Sequence, residues 1–184
     1  ITTDLLFYTI LISAAFFLFF TTLRELFLKK SNNISQTISH FGFSLLILSI
    51  LFNGILTSEI TTNIKVGERY VYSNGEIFFE RIEKEKKSNF DSIVGYFKVT
   101  NNKGKVTKLN PEIRFYNQPV TITSEADIKT TLLVDKFLVM NIVKGNDYFN
   151  IRYQVKPFML WIWISVLIIS LGGLMGLRKK KYEK

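Results

Sequence analysis

The chain has 184 residues, of which 47% are hydrophobic, and carries a formal net charge of +9. It contains no cysteine, which excludes disulfides, CxxC redox chemistry and thiolate metal sites. A high apolar fraction combined with a high charge indicates apolar blocks separated by charged ones, not one uniform globular domain.

Three runs of about 20 residues lack Lys, Arg, Asp and Glu: Leu5 to Leu23, Thr37 to Thr57 and Pro157 to Leu177. At a rise of about 1.5 Å per residue, each run can cross a hydrocarbon core of about 30 Å. We therefore expect three transmembrane helices. No basic segment precedes the first run, which argues against a secretory signal peptide. Because the sequence opens on Ile1 instead of Met, we expect it to be the carboxyl-terminal piece of a longer protein.

The basic residues of the short segments predict the orientation. Arg24, Lys29 and Lys30 follow the first run, and a basic tail follows the third, so both segments are expected on the cytoplasmic or matrix side. Residues 58–156 then face the periplasm or intermembrane space. The predicted organisation is two helices in residues 1–57, an outer domain in 58–156, and a third helix with its tail in 157–184. The multi-pass protein is expected in the bacterial inner membrane, or in the mitochondrial inner membrane if it is organelle-encoded.

The outer segment reads as β-structure. In RYVYSNGEIFFERI, Arg69 to Ile82, two apolar runs flank Asn74-Gly75, a strong hairpin signal. Further strands are indicated near Ile93 to Thr100, Thr131 to Met140 and Tyr148 to Val155, and the charged stretch Arg81 to Lys87 is expected to be a solvated loop. The predicted fold class is a membrane α-helical protein with an inserted antiparallel β sandwich or barrel of six to eight strands.

Catalytic and nucleic-acid-binding patterns are missing from the sequence. There is one histidine, and there is no glycine-rich phosphate loop, no HExxH and no metal-spaced cluster, so no catalytic residue is assigned. The outer segment interleaves acidic and basic residues, with no basic run longer than Lys86-Lys87, which argues against a nucleic-acid partner.

The single histidine, His40, lies at the start of the second apolar run. An ionisable side chain within a membrane span is costly and needs a partner. One interpretation is a neutral imidazole hydrogen-bonded to a neighbouring helix; the other is a nitrogen ligand for a buried metal or haem. Two stripes lie on the predicted helix: Ser39, Gly42, Ser49 and Asn53 form a face for close helix packing, and His40, Ser44, Ile47 and Leu51 form a face that could lie against a flat apolar ligand.

Several blocks of the sequence together resemble a known family. They are LNPEIRFYN (Leu109 to Asn117), SEADI (Ser124 to Ile128), the KPFxxWIW…GG pattern from Lys156 to Gly173, and SHFGFSLLILSI (Ser39 to Ile50), which is similar to an AHxGxA helix with Ser39 in place of Ala. In these blocks the chain resembles the carboxyl-terminal region of the CcmF family, the cytochrome c haem lyase subunits of the cytochrome c maturation system.

The resemblance implies a specific site and cofactor. The histidine of the family's AHxGxA helix is an axial ligand of a transmembrane haem b, and the matching position is His40. The second axial histidine and the tryptophan-rich WWD segment would lie upstream of Ile1. Lyase activity is therefore expected of the parent protein or assembly, and this fragment alone is not expected to be catalytic.

The resemblance also implies partners. Besides membrane lipid, they are the upstream part of the same lyase subunit, CcmH-like subunits, a CcmE-like haem chaperone, apocytochrome c, and quinol as a source of electrons. Glu125 and Asp127 of the SEADI block are predicted to bind a partner or to fix the fold of the outer domain. Two functions stay open: a haem lyase component whose haem b reduces or holds the substrate haem, and a non-enzymatic, membrane-anchored β-domain that docks or assembles partners.

Overall fold

The computed structural model describes residues 3–28 and 33–182, with side chains described for residues 6–28 and 33–177. The described residues form three helices and ten strands. The helices are α1 (Thr3–Phe27), α2 (Ile34–Leu56) and α3 (Met159–Tyr182). The strands are β1 (Ser58–Ile64), β2 (Arg69–Tyr72), β3 (Gly75–Lys86), β4 (Phe90–Asn101), β5 (Val106–Leu109), β6 (Glu112–Asn117), β7 (Val120–Glu125), β8 (Asp127–Thr130), β9 (Val134–Ile142) and β10 (Phe149–Pro157). The chain divides into a helical unit and a β unit, which consists of residues 58–131 and 135–156.

The helical unit contains three helices that are long and apolar enough to cross a membrane. Each extends by a few residues beyond at least one end of its uncharged run, because an α-helix does not stop where charge begins. Thus α1 continues through Arg24 and Glu25, and α3 continues to Tyr182 and includes much of the expected basic tail. Lys29, Lys30 and Lys184 lie outside the described residues.

Helices α2 and α3 approach closely through small residues. Gly42 of α2 lies against Ile168 and Ile169, and Gly172 of α3 lies against Ser39. The Ser39 hydroxyl donates to the carbonyl of Ile169 at 3.5 Å. The stripe of small and polar residues on α2 therefore does contact a neighbouring helix, as the sequence indicates, because residues without bulky side chains allow the backbones to come together.

The β unit is a sandwich of two antiparallel sheets. One sheet has the order β1-β10-β9-β8, and the other has the order β2-β3-β4-β6-β7 with β5 also paired to β4. Large side chains fill the space between the sheets, and the rings of Phe79 and Phe97 stack with centroids 4.1 Å apart. The core also contains Ile64, Ile77, Val99, Leu109, Ile113, Leu138, Met140, Ile151 and Tyr153. The predicted fold class, apolar helices around an inserted β domain, is confirmed.

Two details of the strand prediction are wrong. The expected six to eight strands number ten among the described residues, because β5 and β8 have only four residues each and carry little sequence signal. The stretch from Arg81 to Lys86 is part of β3, not a solvated loop, and its register places Lys86 opposite Asp91 of β4. The expected hairpin is correct: Tyr72 pairs with Gly75, whose φ of +152° lies in a region that favours glycine.

Candidate functional site

The predicted haem ligand His40 lies in the second turn of α2 with its side chain exposed. Helix α3 contacts α2 near Ser39 and Gly42, while Phe19 of α1 contacts Phe41. On the surface of α2, the exposed His40 lies between these two contacts. No hydrogen bond or ion pair reaches it within the described residues. The described parts of α1 and α3 thus offer no partner for the hydrogen-bonding interpretation of His40.

The sequence predicts that Ser44 shares a helix face with His40, and the structure differs at this residue. Ser44 is fully buried, and its hydroxyl donates to the carbonyl of Phe41 at 2.8 Å. At about 100° per residue, Ser44 is rotated about 40° from His40, which is enough to turn its side chain into the helical unit. The exposed face runs instead through Gln36, His40, Phe43, Ile50 and Gly54. Apart from Gln36 and the imidazole of His40, this strip is apolar.

The KPFxxW block joins the start of α3 to the rest of the helical unit. The Phe158 N–H donates to the carbonyl of Leu133 at 2.8 Å, and the Trp161 indole donates to the carbonyl of Leu132 at 2.9 Å. The Asn53 side-chain amide of α2 donates to the carbonyl of Pro157 at 2.7 Å. The Trp161 indole therefore anchors a backbone carbonyl near the amino end of α3, a contact that the sequence did not indicate.

The LNPEIRFYN and SEADI blocks meet in the β unit. Strand β6 carries the first block and pairs with β7, so that Glu112 lies opposite Glu125. The Asp127 carboxylate accepts the backbone N–H of Asn110 at 2.7 Å and thereby fixes the turn that leads into β6. The structure therefore brings together two segments that the sequence could only note separately, and it gives Asp127 a fold-specifying contact.

Ion pairs connect the two blocks on the outer face of the six-stranded sheet. One carboxylate oxygen of Glu112 accepts from Arg114 Nε and Nη2 at 3.0 and 2.8 Å, and its other oxygen lies 3.8 Å from Lys87 Nζ. Arg114 Nη1 lies 3.9 Å from Glu125. Burial raises the pKa of Glu112, but the hydrogen bonds and positive charge of Arg114, together with the nearby Ser92 hydroxyl, lower it more, so the net direction is downward. The bond to Glu112 raises the pKa of Arg114.

This ion-pair cluster has the character of a structural or recognition surface. An arginine held by two carboxylates does not donate or accept protons near neutral pH. No group of three or more His, Asp or Glu side chains that could hold a metal ion occurs within the part of the chain that the structure describes. The contact that links the two blocks, Arg114 to Glu125, depends on the register of β6 and β7, which the sequence alone does not give.

The comparison with family models decides the family. The model described as the CcmF C-terminal beta-sandwich matches residues 55–157, more than half of the chain. The chain belongs to the CcmF family. The match covers the β unit and short flanking segments, and it agrees with the family resemblance of the sequence blocks.

Curated relatives from several bacteria carry the same family name. The CcmF of Pseudomonas fluorescens is 26% identical over 146 residues, which are 79% of this chain and 22% of the relative. The Escherichia coli CcmF is 27% identical over 146 residues, again 79% of this chain and 23% of the relative. The probable NrfE of Escherichia coli is 25% identical over 156 residues, 84% of this chain and 28% of the relative. The chain spans about a quarter of the length of these CcmF-family relatives.

A solved structure supports the fold. The cytochrome c heme lyase CcmF matches with a TM-score of 0.64, covering 95% of this chain and 34% of that protein, at 16% sequence identity. At this identity the match shows the fold alone. It includes helices as well as the sandwich, because its coverage of this chain extends well beyond the β unit.

Proposed function

We propose that the chain is the carboxyl-terminal part of a cytochrome c haem lyase subunit that acts in c-type cytochrome biogenesis. Curated relatives are named cytochrome c-type biogenesis proteins, and the solved structure with the same fold is named a heme lyase. Because this chain spans only part of those proteins, lyase activity belongs to the larger protein or assembly. Apocytochrome c, quinol, a CcmE-like haem chaperone and CcmH-like subunits are its proposed partners.

The contribution of this chain to the cofactor is one axial ligand, His40. The observation that carries this proposal is the exposed imidazole on a strip of α2 that is apolar apart from Gln36, in a helix apolar enough to span a membrane. A neutral imidazole nitrogen suits haem iron, and the neighbouring Phe43 and Ile50 suit the apolar macrocycle. The residues present therefore fit one side of a haem b. The chain has no other histidine, so a second imidazole would come from outside it.

In this proposal the residues of α2 hold and orient the group. The haem supplies one-electron chemistry when it is bound. His40 provides the nitrogen donor, and the apolar side chains beside it exclude water from that donor. The packing of Ser39 and Gly42 on α3 fixes the rotation of α2, which keeps His40 on the exposed strip.

Substitution of His40 in the assembled protein tests the proposal. We expect His40→Gln to leave membrane abundance unchanged and to lower the b-type haem absorbance per protein by more than about tenfold, because an amide is a poor iron ligand. The amide can still form a membrane hydrogen bond, which is worth only about 0.6 to 2 kcal/mol. Gln36→Ala, one turn earlier on the same exposed strip, is the matched control and is expected to keep the haem. Normal haem in the His40→Gln protein would remove His40 from the site.

The orientation in the membrane is part of the proposal. Basic residues between α1 and α2 and at the end of α3 favour the cytoplasmic or matrix side of an inner membrane. The sandwich then lies on the periplasmic or intermembrane-space side. Protease added to that side of sealed vesicles is expected to reach the turn at residues 87–89, and cleavage there from the opposite side alone would contradict this orientation.

The second candidate function is a docking or assembly subunit without a cofactor role. The ion pairs on the outer face of the six-stranded sheet favour it, because Glu125 is partly exposed and only loosely paired with Arg114. Replacing Glu125 and Asp127 with their amides is then expected to weaken co-purification of partner subunits without changing the haem spectrum. For Asp127, some of that effect would come from the turn at Asn110.

A further inference from the structure

The free edge of β7 is a feature of the sandwich that the proposed haem site does not use. Among the described residues β7 pairs with β6 alone and forms one edge of its sheet. Its sequence is VTITSE, without proline, lysine or a bulge, and Glu125 at its end is its single charged residue. Exposed edges are usually protected by short strands, prolines, bulges or inward-facing charges. Of the other edge strands, β2 and β8 have only four residues each, and β1 has seven residues with the charged Glu59 near its start; β7 has six residues and no charge before its last residue.

The hydrogen-bonding groups of β7 alternate between its two sides. Asn117 and Val120 close the two-residue turn between β6 and β7. The closing pair of such a hairpin is hydrogen-bonded, and bonded and non-bonded pairs then alternate along an antiparallel ladder. Val120, Ile122 and Ser124 therefore bond to β6, and Thr121, Thr123 and Glu125 direct their N–H and C=O groups to the open edge. This row of donors and acceptors can accept another strand.

The exposed apolar side chains on β7 lie on one face. Val120 and Ile122 are 89% and 65% exposed, and Ile122 lies opposite Phe115 of β6. Beside Phe115, a groove is lined by Ile93 and by charged residues of β3 and β4, namely Lys84, Glu85, Lys86 and Asp91. The apolar surface thus continues from the edge strand to Phe115 and Ile93 and is bordered there by charges, and Val120 and Ile122 stay open to solvent.

The charge at the end of β7 favours a basic residue on the incoming strand. The side chain of Glu125 is 45% exposed, and its contact with Arg114 is at the long distance of 3.9 Å. Arg114 bonds more closely to Glu112, at 2.8 Å. The Glu125 carboxylate also accepts from the Thr123 hydroxyl at 3.1 Å, a neutral partner that leaves its charge available to a second cation.

We propose that β7 is a strand-addition site for an extended segment of unfolded polypeptide, with apolar side chains facing Val120 and Ile122 and a basic side chain beside Glu125. Polypeptide is the occupant because it presents N–H and C=O groups at the spacing of a strand. Assigning the segment to an apocytochrome c rests on the proposed function, since a cytochrome polypeptide without haem is unfolded and its backbone is available for pairing.

Removing one outward-facing N–H tests the site. The whole chain in detergent micelles is titrated into fluorescently labelled, haem-free apocytochrome c with alkylated thiols, and Kd is read from anisotropy. We expect Thr123→Pro to raise Kd about tenfold, because proline has no N–H to donate to the added strand. Thr123→Val removes the same hydroxyl but keeps the N–H, and it is expected to bind like the parent chain. Tyrosine near-UV circular dichroism checks that the sandwich is folded in both variants.

A second pair of variants covers the case in which Thr123→Pro does not fold. The double substitution Val120→Lys and Ile122→Lys places charge on the exposed apolar face and is expected to weaken binding about tenfold as well. Val71→Lys is the matched control, since Val71 is 74% exposed on β2, at the other edge of the same sheet. We expect its Kd to be unchanged.

Three results would overturn the proposal. The first is that the folded β7 variants bind apocytochrome c with the same Kd as their controls. The second is that folded holocytochrome c of the same sequence binds as tightly as apocytochrome c. The third is that the chain self-associates through β7 and does not bind apocytochrome c. Folded holocytochrome c has the same amino acids but no free backbone. The haem absorbance of the His40 variants is a separate readout, so failure of strand addition and failure of the haem proposal are distinguishable.

Discussion

The α2–α3 contact and the core of the β sandwich are packed with opposite kinds of side chain. Helix α2 meets α3 through Ser39, Gly42 and Gly172, whereas the sandwich is filled by stacked rings such as Phe79 and Phe97. Polar groups differ in the same way. Buried serines of the helices donate to their own helix, as Ser49 does to the carbonyl of Leu45 at 2.7 Å. Charged groups of the sandwich pair with one another, both along a strand, as Arg114 does with Glu112, and between strands, as Lys98 does with Glu80.

This difference follows from the two solvents. Lipid tails are as apolar as leucine, so burying a large side chain between membrane helices gains little, and close backbone contact through small residues becomes the main attraction. In water, burying a large apolar side chain is worth about 1.5 to 3 kcal/mol, which favours a core of aromatic rings. His40 stands out against both patterns because it is polar, lies on a helix, and bonds to no described group.

Adding one carbon at Gly172 is expected to have the largest effect on packing. A Cβ at Gly172 would lie 2.7 Å from the backbone nitrogen of Ser39 and 2.9 Å from the backbone carbonyl oxygen of Ser35. Backbone atoms cannot move aside without shifting the helix, so Gly172→Ala is expected to destabilise the helical unit by about 1 to 3 kcal/mol. Both tryptophans lie in α3, so tryptophan fluorescence during denaturation in micelles follows this unit.

The adjacent glycine provides the matched control for Gly172. A Cβ at Gly173 meets nothing within 4 Å in the described structure, and it adds the same methyl group to the same helix. We expect Gly173→Ala to leave the transition unchanged or slightly higher, since alanine favours helix over glycine. Equal effects of the two substitutions would show that close packing at Gly172 is not what holds α2 and α3 together.

The sequence was sufficient to predict those features that depend on local pattern. Uncharged runs of membrane length predicted the three helices, and Asn74-Gly75 predicted a hairpin. The same reasoning gave a wrong prediction for the stretch Arg81 to Lys86, because its charges suggested a loop although its backbone pairs with β4. The contact of Arg114 with Glu125 was equally hidden, since it depends on which residues of β6 and β7 lie side by side.

Adding one carbon at Gly95 of the sandwich is expected to destabilise the fold less than adding one at Gly172 of α3. A Cβ at Gly95 would lie 2.7 Å from the sulfur of Met140 and 2.7 Å from a ring carbon of Phe97. These are side-chain atoms, and methionine adapts readily to a changed cavity. We expect Gly95→Ala to destabilise the sandwich by about 1 kcal/mol, measured by tyrosine near-UV circular dichroism during urea unfolding. A larger loss than that of Gly172→Ala would reverse the contrast between the two units.

The smallest expected loss of stability is that caused by Glu112→Gln, and this loss depends on pH. Arg114 and Ser92 lower the pKa of Glu112 below its ordinary value of 4.5 despite the opposing effect of burial. A carboxyl whose pKa is lower in the folded than in the unfolded state stabilises the fold above the unfolded pKa. That contribution is lost as pH falls through the folded pKa. Glu112→Gln removes the charge and therefore removes this dependence.

We expect Glu112→Gln to destabilise the sandwich at pH 7 by less than about 1 kcal/mol, and the difference from the parent chain to shrink as pH falls below 4.5. The side chain of Glu112 is only 13% exposed, so its pair with Arg114 is poorly screened by water. Glu76→Gln is the matched control: Glu76 pairs with Arg69, whose side chain is 58% exposed, and such a surface pair contributes little. Urea unfolding of both variants at pH 7 and pH 3 gives the comparison. A Glu112→Gln difference that grows toward acid would show that burial, not Arg114, dominates at this carboxyl.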